Sequence, residues 1–206
     1  VFGADGTFQT GIGIGRNRGD SLISRAARER ALKHYREGTD GLVIVKSNMM
    51  SSVHRRVPLD LLIVPRREGR KVTGLSIHAG LWTSAALSKP PEEIPILRQR
   101  LLGLQVKYKF DPRGHTGKAL SHAIVSLPHD IAISIGDSSL EALALSAMSI
   151  ADRPRPMIEL VKAPLDRHLF AFVWLPRDEL TTERRVAIAA MLGEAANARL
   201  LSWTIE

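Results

Sequence analysis

Apolar residues recur along this chain with two different periods. From Ser21 to Arg36 a mix of Ala, Leu, Arg and Glu runs without Gly or Pro, which predicts a helix ending at Gly38. The pattern then shortens. Leu42 to Val45 and Leu59 to Val64 are brief runs rich in branched residues, the mark of strands buried on at least one face. Leu75, Ile77, Ala79 and Leu81 alternate with Ser76, His78 and Gly80, predicting a third strand with one wet face, and Arg66 to Arg70 supplies a hairpin turn. Residues 1–88 therefore read as an α+β domain built on a mixed or antiparallel sheet.

After the punctuating segment Ser88 to Glu93, Ile94, Leu97, Leu101 and Leu104 form one helical stripe, with Pro95 tolerated in the first turn. A second helix follows Gly117, with Leu120, Ala123, Ile124 and Leu127 on one face and Pro128 as its stop. Residues 89–128 are thus predicted to be a helical connector. Ile131 to Ile135 reads as a strand, and Ser138 with Glu141 has the spacing of a capping box for a helix reaching about Ile150. Met157 to Val161 and Leu169 to Leu175 are two further strands joined by a hairpin-length turn. Thr181 can cap a last helix, with Glu183 in its first turn and Val186, Ala189, Ala190 and Leu192 or Gly193 as a packing face; Leu200 to Ile205 reads as the final strand. The order β-α-β-β-α-β predicts a ferredoxin-like domain over residues 129–206, a topology that hosts too many functions to select one.

Composition narrows the field. With 206 residues, 44% apolar and 24% charged, the chain is an ordinary globular sequence. It has no cysteine, which removes disulfides, thiol nucleophiles and Cys-based zinc sites and fits a reducing cytoplasm. No apolar run is long enough to cross a bilayer, and residues 1–20 lack the pattern of a signal peptide, so no membrane partner is expected. The start at Val1, with glycines at 3, 6, 11, 13 and 15, predicts a piece of something longer. The net charge of +8 is spread over Arg25 to Arg36, Arg55 to Lys71, Arg98 to Lys118 and Arg153 to Arg167, which suits solvated faces better than a polyanion patch.

Chemistry is concentrated in a few places. The run Lys46 to Arg56 puts polar and cationic groups between two apolar stretches, so Lys46, His54, Arg55 and Arg56 form a candidate surface. Gly11 to Arg18 could form an anion nest, but its G-x-G-x-G spacing, with no strand before it, is not a dinucleotide fingerprint. The seven histidines include no H-E-x-x-H and no i, i+4 pair, so no metal site is expected. There is no G-x-S-x-G elbow, and Gly114 to Lys118 lacks the spacing of a phosphate-binding loop, so no catalytic residue is expected either. Phe170, Phe172 and Trp174 resemble the base-stacking strand of an RNA-recognition motif. The first strand lacks the matching aromatic, however, and Leu175 stands where the last one belongs, so packing is the favoured role and nucleic acid is disfavoured. The turn at Gly136, Asp137 and Ser138 offers backbone N–H groups at a helix start, as an effector carboxylate would need; a plain helix cap is the alternative.

Taken in order, several segments resemble the N-terminal regulatory region of the large bacterial NAD-specific glutamate dehydrogenases. They are Leu42 to Asn48, Ser52 to Arg56 with Asp60, Gly80 to Ser84, Glu93 to Arg98, Phe110 to Arg113, Gly117 to Leu120, Leu127 to Asp130, Arg153 to Arg155, and Val173 to Asp178 with Thr182 and Glu183. The resemblance runs from about residue 41 to 185. Met50 and Ser52 depart from it where the family carries arginines. It implies PAS-like and ACT-like modules joined by helices, and an ACT effector site near the first strand-to-helix turn, which is Gly136–Asp137 in this sequence. It also implies a parent enzyme that oxidises glutamate with NAD in a catalytic domain further along the chain. No cofactor is expected in residues 1–206 themselves.

The resulting expectation is a non-catalytic, cytoplasmic regulatory fragment that contacts the remaining domains of its parent and a homo-oligomeric assembly and senses an amino-acid effector. A ligand-free assembly scaffold and an RNA-binding module using Phe170, Phe172 and Trp174 are the alternatives.

Overall fold

The computed structural model describes residues 1–16, 19–38, 41–53 and 55–205. The predicted Ser21 to Arg36 helix divides in two: a single turn, α1 (Gly19–Leu22), precedes α2 (Arg25–Arg36). Ser24 makes the break. Its extended backbone and its hydroxyl, which accepts from the Ala27 N–H at 3.4 Å, make it an N-cap. Four strands, β1 (Phe2–Gly3), β2 (Val43–Met50), β3 (Pro58–Glu68) and β4 (Lys71–Gly80), form an antiparallel sheet in the order β1-β4-β3-β2. The β3–β4 turn closes at Gly69, whose φ of 60° favours glycine.

Strand alternation gives this sheet two buried faces. Val43, Val45, Leu61, Ile63 and Leu75 turn toward Ala27, Ala31 and Tyr35 of α2 in one apolar cluster. The Tyr35 hydroxyl donates to the Ile63 carbonyl at 2.6 Å and accepts from the Val43 N–H at 3.2 Å, so α2 is pinned to two strands. Ile44 and Leu62, paired across β2 and β3, face the other way.

That second face is covered by the rest of the chain. After α3 (Ser84–Ser88) come α4 (Pro95–Tyr108), α5 (His115–Val125), α6 (His129–Ser134) and α7 (Asp137–Asp152). An antiparallel hairpin of β5 (Met157–Lys162) and β6 (Leu169–Trp174) follows, then α8 (Thr182–Ala195). Ile44 shares one cluster with Ile94, Leu97, Leu127, Ile133, Ile135, Leu140 and Val161. The predicted stripe on α4 is buried as expected, and fully burying a leucine such as Leu97 contributes about 2 kcal/mol of transfer free energy. Phe170, Phe172 and Trp174 pack against this same cluster, so the aromatic side of the hairpin faces the protein interior.

Two expected strands do not form, and with them the ferredoxin-like domain. Residues 131–135, read as a strand, belong to α6 and its C-cap. The buried positions are His129, Ala132 and Ile133, the i, i+3, i+4 spacing of a helix. Both ends of α6 are satisfied in ways a strand could not use. Asp130 accepts from the Ile131 N–H at 2.9 Å in the first turn, while Arg100 of α4 donates to the Ala132 and Ile133 carbonyls at 2.7 and 3.3 Å. Residues 200–205 form no strand either. The Arg185 guanidinium lies 3.9 Å from the centre of the Trp203 ring, which ties this segment to α8. Thr181 caps α8 as predicted, its hydroxyl accepting from the Arg184 N–H at 3.2 Å, but none of the helix's residues is buried and its expected packing face stays open. Among the described residues, residues 129–205 thus contribute a two-stranded sheet and three α-helices, with short 3-10 turns at Pro164–Asp166 and Arg177–Glu179.

The start of α5 sits hard against the turn before it: a Cβ on Gly117 would lie 2.0 Å from the Asp111 carbonyl oxygen. Gly117→Ala should therefore cost about 1–3 kcal/mol through backbone displacement, measured as a lower urea midpoint with an unchanged m-value.

Candidate functional site

The alternation that turns Ile44 toward the helical layer turns Lys46 the same way, and the sheet register sets Lys46 opposite Asp60 on β3. The Lys46 ammonium lies 2.7 Å from Asp60 Oδ1 and 3.0 Å from Asp130 Oδ2 at the start of α6, bridging the two layers. The Asp60 side chain is 7% exposed, that of Lys46 25%. Burial opposes the lysine's charge, but hydrogen bonds to Asp60 and Asp130 and the charges of both carboxylates outweigh it and hold its pKa above the ordinary value. Burial pushes Asp60 up, against the pull of Lys46. The buried Trp82 indole N–H approaches the same carboxylate, near enough to favour its charge but short of full hydrogen-bond geometry.

The hairpin loop closes this cluster. Arg167 donates to Asn48 Oδ1 at 2.6 Å, and Arg30 of α2 donates to the Leu165 carbonyl at 2.8 Å. His168 is held below its ordinary pKa by burial, then by the charges of Arg167 and Lys46. The void left beside Lys46, Asp60 and His168 is about 10 Å³, space for about one water. This is a packed joint between layers, too full for a metabolite.

The remainder of the Lys46 to Arg56 run separates from Lys46. Ser51 turns the chain, its N–H donating to the Val57 carbonyl at 2.8 Å and its hydroxyl to the Val53 carbonyl at 2.8 Å. Arg55 reaches the Trp82 carbonyl at 2.9 Å, and Arg56 is exposed. His54 lies outside the described residues. Among the described residues, no contact joins Lys46 to Arg55 or Arg56.

At the second predicted place, Gly136 is the N-cap of α7, in extended conformation with open space where a Cβ would stand. The turn joins two helices, whereas a strand-to-helix turn was expected. Asp137, largely exposed in the first turn of α7, is ion-paired with Arg100, its Oδ1 2.9 Å from Arg100 Nε. The turn's cation is thus engaged by the chain's own carboxylate and by the last carbonyls of α6. Burial lowers the pKa of Arg100, with Asp137 acting against that effect. Ser138 lies inside the helix, and the predicted capping box does not form: Glu141 pairs instead with Lys107 at 2.6 Å and accepts the Tyr108 hydroxyl. Glu141 is held below its usual range chiefly by the Lys107 hydrogen bond.

A third place was missed from the sequence. Between α4 and α5 runs a groove of about 550 Å³, within the range of small-molecule sites. Leu101 forms its floor, Leu102 and Val125 its walls, and Arg98 and Lys118 its rim, with Gln105 buried among them. The available signal was apolar residues off the buried stripe, since Leu102 and Val125 remain 51% and 46% exposed.

Removing Lys46 would strand Asp60 without its cation. Lys46→Met should destabilise the chain by about 2–4 kcal/mol, and Lys46→Met with Asp60→Asn should recover about half of that in the same urea titration. Because the folded pKa of Lys46 lies above its ordinary 10.5, the stability it contributes is complete below that value and lost as pH rises through the folded one. The Lys46→Met chain should lack that alkaline decline.

Comparisons with known proteins agree with the resemblance read from residues 41–185. Residues 94–153, from the turn before α4 to the end of α7, match the family described as glutamate dehydrogenase, helical motif 1. The chain is 27% identical over 166 residues to the NAD-specific glutamate dehydrogenase of Halomonas elongata, covering 80% of this chain and 10% of that protein. It is 28% identical over 158 residues to the enzyme of the same name from Pseudomonas aeruginosa, covering 76% of this chain and 10% of that one. It spans about a tenth of the length of the curated relatives it matches. The ordered motifs, the matched helical motif and relatives aligned over three quarters or more of its length all point the same way: this chain is similar to a stretch of about a tenth of the NAD-specific glutamate dehydrogenases.

Proposed function

We propose that this chain is a non-catalytic regulatory segment of an NAD-dependent glutamate dehydrogenase, the cytoplasmic enzyme that converts L-glutamate, NAD and water to 2-oxoglutarate, ammonia and NADH. NAD would be bound by a different part of that enzyme. The observation that carries this proposal is the Lys46 bridge between Asp60 of the sheet and Asp130 of α6. Residues 1–88 act as the PAS- or ACT-like sheet domain and residues 89–128 as the connector, and a change of state in one layer must make or break that bridge to reach the other. Coupling of this kind needs an effector that binds the two arrangements differently. At Gly136, Asp137 and Ser138, an amino-acid carboxylate would displace Asp137 from Arg100 and thereby loosen the α6–α7 junction.

A second role, assembly, is favoured by the outer face of the hairpin. Ile158, Leu160, Leu169 and Val173 point away from the core and are exposed, while their neighbours pack inward. A second copy of the chain is the occupant this role requires, matching the expected homo-oligomer.

In the full-length enzyme, Asp130→Asn should leave kcat/KM for glutamate near the wild-type value while abolishing or reversing its response to added amino acids. An unchanged response would remove the regulatory role. For assembly, Leu160→Asp should lower the mass found by light scattering, and an unchanged mass would remove that role.

A further inference from the structure

We infer that the α4–α5 groove is a binding site for a small monocarboxylate with an apolar body. Gln105 is 7% exposed and lines the groove, yet its side-chain amide has no hydrogen-bond partner among the described residues. What exposure the residue keeps is in the groove, so its amide is open there to water or to a ligand that replaces water. Leu101, Leu102 and Val125 give the groove its apolar surface, and Ser121 and His122 line it too.

The rim supplies the charge. Arg98, projecting from α4, and Lys118, projecting from α5, both border the groove, and neither side chain has an ion-pair or hydrogen-bond partner among the described residues. Most other cations near the helical layer are engaged: Lys46 with Asp60 and Asp130, Arg100 with Asp137, Lys107 with Glu141. Glu92 is the carboxylate on this rim, and it is occupied by the Ser121 hydroxyl. Two cations and one anion leave a net charge of +1, which complements a monoanion and disfavours a phosphate dianion. A guanidinium fork beside an ammonium can hold the two oxygens of a carboxylate, and the Gln105 amide can donate to one of them. Leu101, Leu102 and Val125 then cover the apolar body. The site is separate from the Gly136 turn and does not depend on any regulatory role for the chain.

The test uses the 206-residue chain with hexanoate as the probe. Titration followed by ¹H–¹⁵N NMR should shift the Gln105 side-chain amide signals and the backbone signals of α4 and α5, leaving Gly136 in place. Hexanamide, which has the same body without the charge, should bind at least tenfold more weakly, and inorganic phosphate should not shift Gln105. Lys118→Glu, at an exposed position that leaves the fold intact, should weaken hexanoate at least tenfold with an unchanged melting temperature. Equal binding of hexanamide and hexanoate, indifference to Lys118→Glu, or saturation without movement at Gln105 would each overturn the assignment. So would a groove that takes up only peptides.

Discussion

A lysine ammonium shared by two carboxylates from different layers is the constraint on which the arrangement depends. Burying Ile44 and Leu62 brings the helical layer onto the sheet, and the same alternation carries Lys46 into that seam. Taking a charge out of water is unfavourable unless the geometry compensates it, so the layers can close only with Asp60 and Asp130 both in register. The apolar contacts supply the attraction; the ion cluster restricts where it can act. Arg167 with Asn48 and Arg30 with the Leu165 carbonyl then fix the hairpin loop on the same seam.

A second set of polar contacts organises the helices among themselves. Arg100 donates to the last carbonyls of α6 and is ion-paired with Asp137 at the first turn of α7, so one side chain joins the end of one helix to the beginning of the next. The helix dipoles favour this placement, with a cation at a C-terminus and a carboxylate at an N-terminus. Lys107 and Tyr108 with Glu141 tie α4 to α7 again, about two turns further along α4 and one further along α7. The matched helical motif is therefore held together by α4 as well as by its apolar stripe.

Legibility in the sequence followed the range of the deciding force. The α4 stripe, the β5–β6 hairpin and the Thr181 cap are set by residues within one or two turns of each other, and all are readable. Ile131 to Ile135 satisfies a period of two over five residues, while His129, Ala132 and Ile133 satisfy a helical period. Arg100, some thirty residues earlier, favours the helix, and nothing in the local pattern announces it. Lys46 was visible as a cation following an apolar strand, and Asp60 becomes its partner once the strands pair; Asp130 belongs to the helix misread as a strand. Gln105 was silent, because a polar residue inside a helix looks solvated until the neighbouring helix covers it.

The hairpin of β5 and β6 has an outcome for the chain's behaviour among its own copies. Among the described residues each of its strands pairs on one side only, leaving two rows of backbone N–H and C=O groups unused. Lys162 is the charge at the outward end of β5, where a gatekeeper against edge-to-edge pairing would stand, but Ile158 and Leu160 beside it carry none. The ribbon is therefore a template for strand addition, able to extend its sheet with any extended segment that meets those two edges.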